Sequence, residues 1–429
     1  MPILFRTFTG MEPTELGIHP AIGEIDRDSW NSLALDSRTP FYEWEWLALL
    51  EQSGSIDIST GWQPLHVSFS RNGLLAGIMP LYLKSHSHGE FVFDYGWADL
   101  AGQLNIPYYP KIVGTVPATP SGFYRLFCSD PSQMGTFLTR GISTLEDVCR
   151  NNRIAGINFL FCDPAFAREL KDFYLWENQS YLWINRGYSR FDDFLKELSK
   201  NHRRNIRREW NSLAAQNLEI TALTGSDLTE EVMDRMYRFY LQTNARFGPW
   251  AAKFLNRDFF LRLPEYLSHR VVVFAATPRH AGPGEAMGMS LCVYKGDWLF
   301  GRYWGGDPEI KNLHFNTCYY APMHWMIDRG MRFFDPGAGS PHKLHRGFMP
   351  HSVVSGHRFF DPLFSEIFRA NIPAVNLENR RMIHGMEDSV PFPESIKAEL
   401  RKEIRDLFPI PEGSMLGDTE EASGIQGLY

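Results

Sequence analysis

The residues with the most chemistry in this chain stand together in positions 335–346. Asp335, His342, Lys343, His345 and Arg346 occur there, interleaved and flanked by Gly337, Gly339 and Gly347. A carboxylate or an imidazole can take the proton from an amine. An ammonium or guanidinium can hold the oxyanion that forms when the amine attacks an acyl carbonyl. The glycines let backbone approach a ligand closely or present its N–H groups. A structural turn with its charges facing water is the alternative. Just upstream, GRYWGG (301–306) ends a predicted strand, and Arg302 and Tyr303 alternate sides, so only one of them can face a pocket. Trp304 reads as core packing.

Two further clusters stand out. Residues 80–100, PLYLKSHSHGEFVFDYGWADL, bring Lys84, His86, His88, Glu90, Asp94 and Tyr95 together. The His86/His88 pair has no HExxH, no cysteine pair and no third ligand at a fixed spacing, so no metal site is expected. A substrate-binding face suits these residues better, with YYPK (108–111) lining the same cleft or packing as an edge strand. The other cluster is basic: Lys200, His202, Arg203, Arg204, Arg207 and Arg208. On a helix Arg203/Arg207 and Arg204/Arg208 form two adjacent rows of like charge, which repel unless an anion neutralises them. They would hold a phosphate-bearing donor or an RNA backbone. Otherwise they are a solvated face balanced by Glu197 and Glu209.

The elements that must position these groups can be read from periodicity and turn signals. A helix is predicted at about 44–52, stopped by Gly54. Strands LHVSFS and LLAGIMPLYLK flank the turn Arg71-Asn72-Gly73. EFVFDYGWA and YYPKIVG are predicted as strands, followed by a helix at about 132–150 and the strand AGINFLF. The second half opens with a helical stretch, FDDFLKELSKNHRRNIRREWNSLAAQ, and a helix at 230–247. Strands VVVFAA, AMGMSLCVY and WLFGRYW follow, then a helix at about 315–329 and a short strand at 331–335. Both halves share one order: antiparallel strands, a helix, then a strand that must return beside the sheet. This predicts a duplicated α/β unit, divided as 1–189, 190–390 and a C-terminal helix and polar tail at 391–429, the part beyond Pro411 expected to be disordered. In open α/β sheets ligands bind at the strand ends where these polar groups collect.

Composition narrows the class. The 429 residues are 44% hydrophobic and 22% charged, which suits a globular chain with a sizeable core. A net charge of -7 argues against a protein coated in nucleic acid while allowing a local basic patch. Five cysteines with no CxxC pair read as buried thiols of a reducing compartment. No basic-then-apolar leader and no apolar run of about 20 residues is visible, so a cytoplasmic location is expected. GxSxG, Walker and strand-following GxGxxG motifs are missing. Arg279-His280-Ala281-Gly282-Pro283-Gly284 matches a pyrophosphate loop superficially. It lies between two predicted strands, where no helix N-terminus can receive phosphates, and reads as a hairpin loop.

Seven segments, taken together, resemble a known family: GWQPLHVSF, GIMPLYLKSHSHGEFVFDYGWA, YYPKIVG, SKNHRRNIRRE, LFGRYWG, LHFNTCYY and GAGSPHKLHRGF. They are similar to the FemAB-like branch of the GNAT-related acyltransferases, described as peptidoglycan biosynthesis or recognition proteins. The resemblance implies two GNAT-like domains in tandem and transfer of an acyl or aminoacyl group onto an amine. The donor would be aminoacyl-tRNA, as in the Fem proteins proper, or acyl-CoA. The acceptor would be an amine-bearing small molecule or a cell-wall precursor peptide, with no tightly bound cofactor. On this reading Asp335, His342, Lys343 and Arg346 do the chemistry. Lys84, His86, Tyr95, Arg302, Tyr303 and Asn316 bind substrate, and Arg203, Arg204, Arg207 and Arg208 bind the donor. Asn316 replaces a glutamate usual in relatives, which opens a second reading: a retired GNAT pair that recognises cell-wall fragments or RNA. The loop GGDPEIKNL, where a GNAT domain would bind pyrophosphate, carries Asp307 and Glu309 and would repel it. That favours aminoacyl-tRNA as donor.

Overall fold

The computed structural model describes residues 14–246, 253–339 and 341–411. Among these, four antiparallel strands form a small sheet in the order Thr14–His19, His66–Arg71, Leu74–Met79, Phe127–Cys128. The Arg71-Asn72-Gly73 turn is the expected hairpin, with φ of 52° at Asn72 and 75° at Gly73. These left-handed values are those a tight hairpin requires, and asparagine and glycine adopt them at least cost.

The large sheet has eleven strands. Its first-half part runs Trp62–Pro64, Tyr82–Lys84, Lys111–Gly114, Gly156–Phe159. Its second-half part runs Phe333–Asp335, Trp298–Gly306, Gly288–Lys295, Val271–Pro278, Leu218–Thr224. Between them lie two long strands, and these are exchanged. Met349–Phe359, from the second half, pairs with Gly156–Phe159 of the first, while Tyr174–Ile184, from the first half, pairs with Phe333–Asp335 of the second. The two exchanged strands pair with each other, antiparallel, from Leu182 opposite Met349 to Tyr174 opposite His357. Two α/β units of the same order, GNAT-like as expected, therefore share one sheet and one continuous hydrophobic core that reaches from Trp30 and Trp46 to Phe334 and Leu400.

The free edge of Tyr174–Ile184 is covered by the helix Pro362–Glu387. Asn376 accepts from Glu177 N–H (2.9 Å) and donates to Leu175 O (2.8 Å), and Asn379 donates to Glu177 O (2.7 Å). Unpaired strand groups invite wrong partners, and these amides satisfy them. Glu177 is fully buried, and both its carboxylate oxygens accept from Arg380 Nε at 3.0 Å.

Two predicted elements are corrected. EFVFDYGWA is not a strand. Phe91 and Phe93 sit at φ 63° and 59°, which breaks the alternation, and a helix begins at Tyr95 and runs to Gln103. The single helix expected over 191–216 is two, Phe191–Glu197 and Lys200–Ala215, broken where Leu198 turns extended at ψ 156°. The expectation for residues beyond Pro411 lies outside the described residues. No helix among the described residues is long and apolar enough to cross a membrane.

Removing the guanidinium that balances a buried carboxylate is costly. Arg380→Ala should lower the unfolding free energy by roughly 3 kcal/mol in urea titration, at neutral pH, by stranding Glu177.

Candidate active site at the splayed strands

Trp298–Gly306 and Phe333–Asp335 run parallel and pair only over three positions, Trp298 with Phe333 to Phe300 with Asp335. Beyond that point the strands part. Gly301 to Trp304 on one side and Asp335 to Gly337 on the other are half-buried where the pairing ends. The crotch itself is tight: a Cβ on Gly337, at φ 76°, would lie 2.8 Å from Gly301 O. Glycine is needed there for both reasons.

A β-bulge sits at the mouth. Leu291 opposes Tyr303 and Cys292 opposes Gly301, which leaves Arg302 as the extra, unpaired residue. Its side chain is buried over the rings of Phe41 and Phe300, at 4.6 and 5.2 Å. It donates to Gly301 O (2.8 Å) and reaches Asp335 Oδ2 at 3.5 Å, while Asp335 Oδ1 accepts from Gly337 N–H at 2.7 Å. Asp335 thus ties the bulge to the glycine turn. Tyr303 contacts a different set, the rings of Tyr240 and Phe260, and donates to Ala118 O (3.2 Å) in the first half.

Lys343, within the turn Pro341–Arg346, is 2% exposed. Its Nζ donates to Gly337 O (2.6 Å) and Ala338 O (3.0 Å) and lies 5.0 Å from the Tyr181 ring. Burial pulls its pKa down to about 8, against the opposing pull of Asp335. Arg346 is also buried, but differently engaged. It stacks at 3.4 Å on Phe315, donates to His342 O (2.8 Å) and pairs with Glu209 Oε2 at 2.9 Å. Tyr320 donates to the same Glu209 oxygen. His342 is exposed at the rim, and His345 stacks on His202 at 5.9 Å.

Other residues expected in the site lie elsewhere. Asn316 is fully buried in the π-turn Asn316–Tyr320 and donates to Glu209 O and Asn312 O, each at 2.9 Å. It fixes the helix over 313–328 to the basic helix and lines no groove. Lys84 is fully buried too, 3.5 Å over the Trp62 ring and donating to His88 O (3.1 Å). Its neighbours form a closed ionic cluster in which Lys111 bonds Glu90 (2.8 Å) and Asp94 (2.5 Å). His86 is held neutral, its pKa lowered to about 4 by burial and by Lys84 and His88. Tyr95, half-buried, lies beside His88. Four strands lie between that of Lys84 and that of Asp335 in the sheet order. On the basic helix, Arg203 donates to Lys196 O and Leu198 O (both 3.1 Å), and Arg207 pairs with Asp192 (2.9 Å). Arg204 and Arg208 are exposed, with no ion pair among the described residues. The acidic loop carrying Asp307 and Glu309 stands where expected, between the bulged strand and the helix that starts at Leu313.

The first half has the same parallel pair, closed. Val113 opposes Asn158 as Phe300 opposes Asp335, and a glycine follows in each case. Asn158 therefore holds the place of Asp335, and it has no proton to exchange. Fully buried Tyr124 fills that opening: a Cβ on Gly114 would lie 2.4 Å from its ring.

A family model described as peptidoglycan biosynthesis/recognition, FemAB-like, matches residues 21–394. The chain belongs to the FemAB-like family. No curated protein sequence matches it. Among solved structures, this FemAB-like chain is similar to FemX at 11% identity, covering 81% of this chain and 98% of that one, with a TM-score of 0.47. The C-terminal domain of a putative lysylphosphatidylglycerol synthetase from Agrobacterium fabrum is 8% identical, with coverages of 82% and 97% and a TM-score of 0.49. A tandem GNAT protein from the clavulanic acid biosynthesis pathway is 10% identical, with coverages of 81% and 98% and a TM-score of 0.39.

Four residues beside the candidate site carry no sequence signal of their own: Glu209 reads as charge balance for the basic cluster, the strand holding Tyr181 is not predicted, and His314 and Tyr320 lie in LHFNTCYY. His314 is half-buried, tilted against Trp304 with ring centroids 4.3 Å apart, and its pKa is lowered to about 4 by burial, then by Arg346, Lys343 and His342.

The depressed Lys343 pKa has a stability signature. Between about 8 and the ordinary 10.5 the unfolded chain binds the proton and the folded chain does not, so this lysine makes stability rise with pH across that window. Below about 8 both states are protonated and the burial cost is constant. Urea unfolding of wild type and Lys343→Met should therefore show a stability difference that shifts in favour of wild type from pH 8 to 10.5. A difference independent of pH would refute the buried ammonium.

Proposed function

We propose that this FemAB-like protein transfers an acyl or aminoacyl group from an activated donor to the amine of a cell-wall precursor peptide. The observation that carries this reading is the unpaired strand end with its bulge beside Arg302, Asp335 and Lys343, set against the Tyr124-filled, Asn158-bearing strand end of the first half. There, an amine can attack a carbonyl held at the bulged strand. The Lys343 ammonium, poorly solvated and held by two carbonyls with its third N–H left over, is worth more to a developing oxyanion than a solvated one would be. Asp335 positions Arg302 and the Gly337 turn. Arg346 positions His342 and the turn through Glu209.

The donor favoured is aminoacyl-tRNA. Asp307 and Glu309 disfavour a diphosphate in the adjacent loop. Arg204 and Arg208, with Lys200 one turn before, offer an exposed basic row to a phosphate backbone. A purely binding role would lean on Asn316, and the burial of that side chain against backbone carbonyls supports packing instead.

The test is transfer of radiolabel to a muramoyl pentapeptide from a pool of charged tRNA and, separately, from acetyl-CoA. Lys343→Ala should lower kcat by about 10²- to 10³-fold with the chain still folded. Arg204→Glu with Arg208→Glu should raise KM for charged tRNA and leave any acetyl-CoA reaction unchanged. Full turnover by Lys343→Ala would remove that lysine from the chemistry. Saturable peptide binding with no product from either donor would make the protein a binder.

A further inference from the structure

Transfer to an amine needs somewhere for a proton to go, and the groups first suspected are engaged. Both oxygens of Asp335 have partners, Gly337 N–H and Arg302. Lys343 already donates twice, and His342 stands at the exposed rim. Two imidazoles remain among the described residues: His351, near Asp335, is bonded to Ser352 O and stacked on Phe408, whereas His314 has no such bond. His314 is the second residue of the helix over 313–328, directly after the loop that follows the bulged strand. Its ring lies against Trp304 at 4.3 Å, Tyr319 at 5.3 Å and Phe315 at 5.5 Å, which fixes its plane. Among the described residues neither ring nitrogen makes a hydrogen bond, and neither is sealed from solvent.

We propose that His314 accepts the proton of the attacking amine, an inference that rests on the acyl-transfer reading. The amine nitrogen bonds to the carbonyl carbon, and His314 takes the N–H proton as the tetrahedral intermediate forms. As the intermediate collapses, the bond from carbon to the leaving oxygen of the donor ester breaks, and the imidazolium returns its proton to that oxygen. No oxidant or reductant is involved. The surroundings suit this role in two ways. Burial, then the Arg346 and Lys343 charges, keep the resting imidazole neutral and ready to accept. Once negative charge builds on the carbonyl oxygen, that charge favours the imidazolium. The close contact with Trp304 holds the ring in place in both states.

His314→Gln keeps a polar side chain of similar reach but cannot take a proton. With charged tRNA and muramoyl pentapeptide it should lose about 10²- to 10⁴-fold in kcat with KM little changed. His314→Ala opens space beside Trp304, and added imidazole should restore its kcat in proportion to the unprotonated imidazole present. A merely structural histidine would show no such rescue. Wild-type kcat in His314→Gln, or no rescue of a folded His314→Ala, would overturn the assignment while leaving acyl transfer standing. No product from the wild-type protein with either donor would remove acyl transfer itself, and this role with it.

Discussion

The structure depends on the reciprocal exchange of two strands. Phe333–Asp335, three residues long, carries the carboxylate that ties the groove together, and a strand that short cannot hold its place alone. It is fixed between Trp298–Gly306 of its own half and Tyr174–Ile184 of the other. The latter is anchored in turn by nine paired positions with Met349–Phe359 and by the Asn376, Asn379 and Arg380 contacts of the covering helix. The position of Asp335 is thereby set by both halves of the chain. A second constraint acts from the side: Glu209 gathers Arg346 and Tyr320, so one carboxylate joins the turn bearing Lys343, the π-turned helix and the basic helix.

Duplication supplied two splays and the chain uses them differently. In the first, Asn158 replaces the carboxylate and Tyr124 fills the gap between the strands. In the second, the strands are left apart, the bulge isolates Arg302, and a lysine is buried beside them. Burying an ammonium against two carbonyls costs stability, as its lowered pKa shows. A chain that kept only the first arrangement would be more stable and would have no groove.

Elements bounded by clear turn signals were legible, whereas the two long exchanged strands, Tyr174–Ile184 and Met349–Phe359, were not predicted at all. The helix Trp44–Gln52, the Asn72-Gly73 hairpin and the bulged strand all stand where turn chemistry and periodicity put them. The order of elements repeated in both halves was also readable, and so was the basic helix. What pattern could not reveal is which partner a strand takes. The alternation within YLWENQSYLWI (174–184) says nothing of a neighbour arriving from position 349 onward. Charges were misjudged for the same reason. Lys84 looked like a surface ligand until Trp62 and the Lys111 cluster enclosed it. Arg346 meets a carboxylate 137 residues away, and His314 acquires its character only from Trp304, Lys343 and Arg346. Phe91 and Phe93 misled because an aromatic alternation mimics a strand even when the backbone turns left-handed.

The central claim is that one groove, at the second splay, receives the acceptor peptide. Hydrogen exchange of the backbone, followed by mass spectrometry with and without muramoyl pentapeptide, tests it directly. Slowed exchange concentrated in residues 301–306 and 336–347 is the predicted result. Protection confined to the first half, around 84–95, or no protection at saturating peptide, would contradict it.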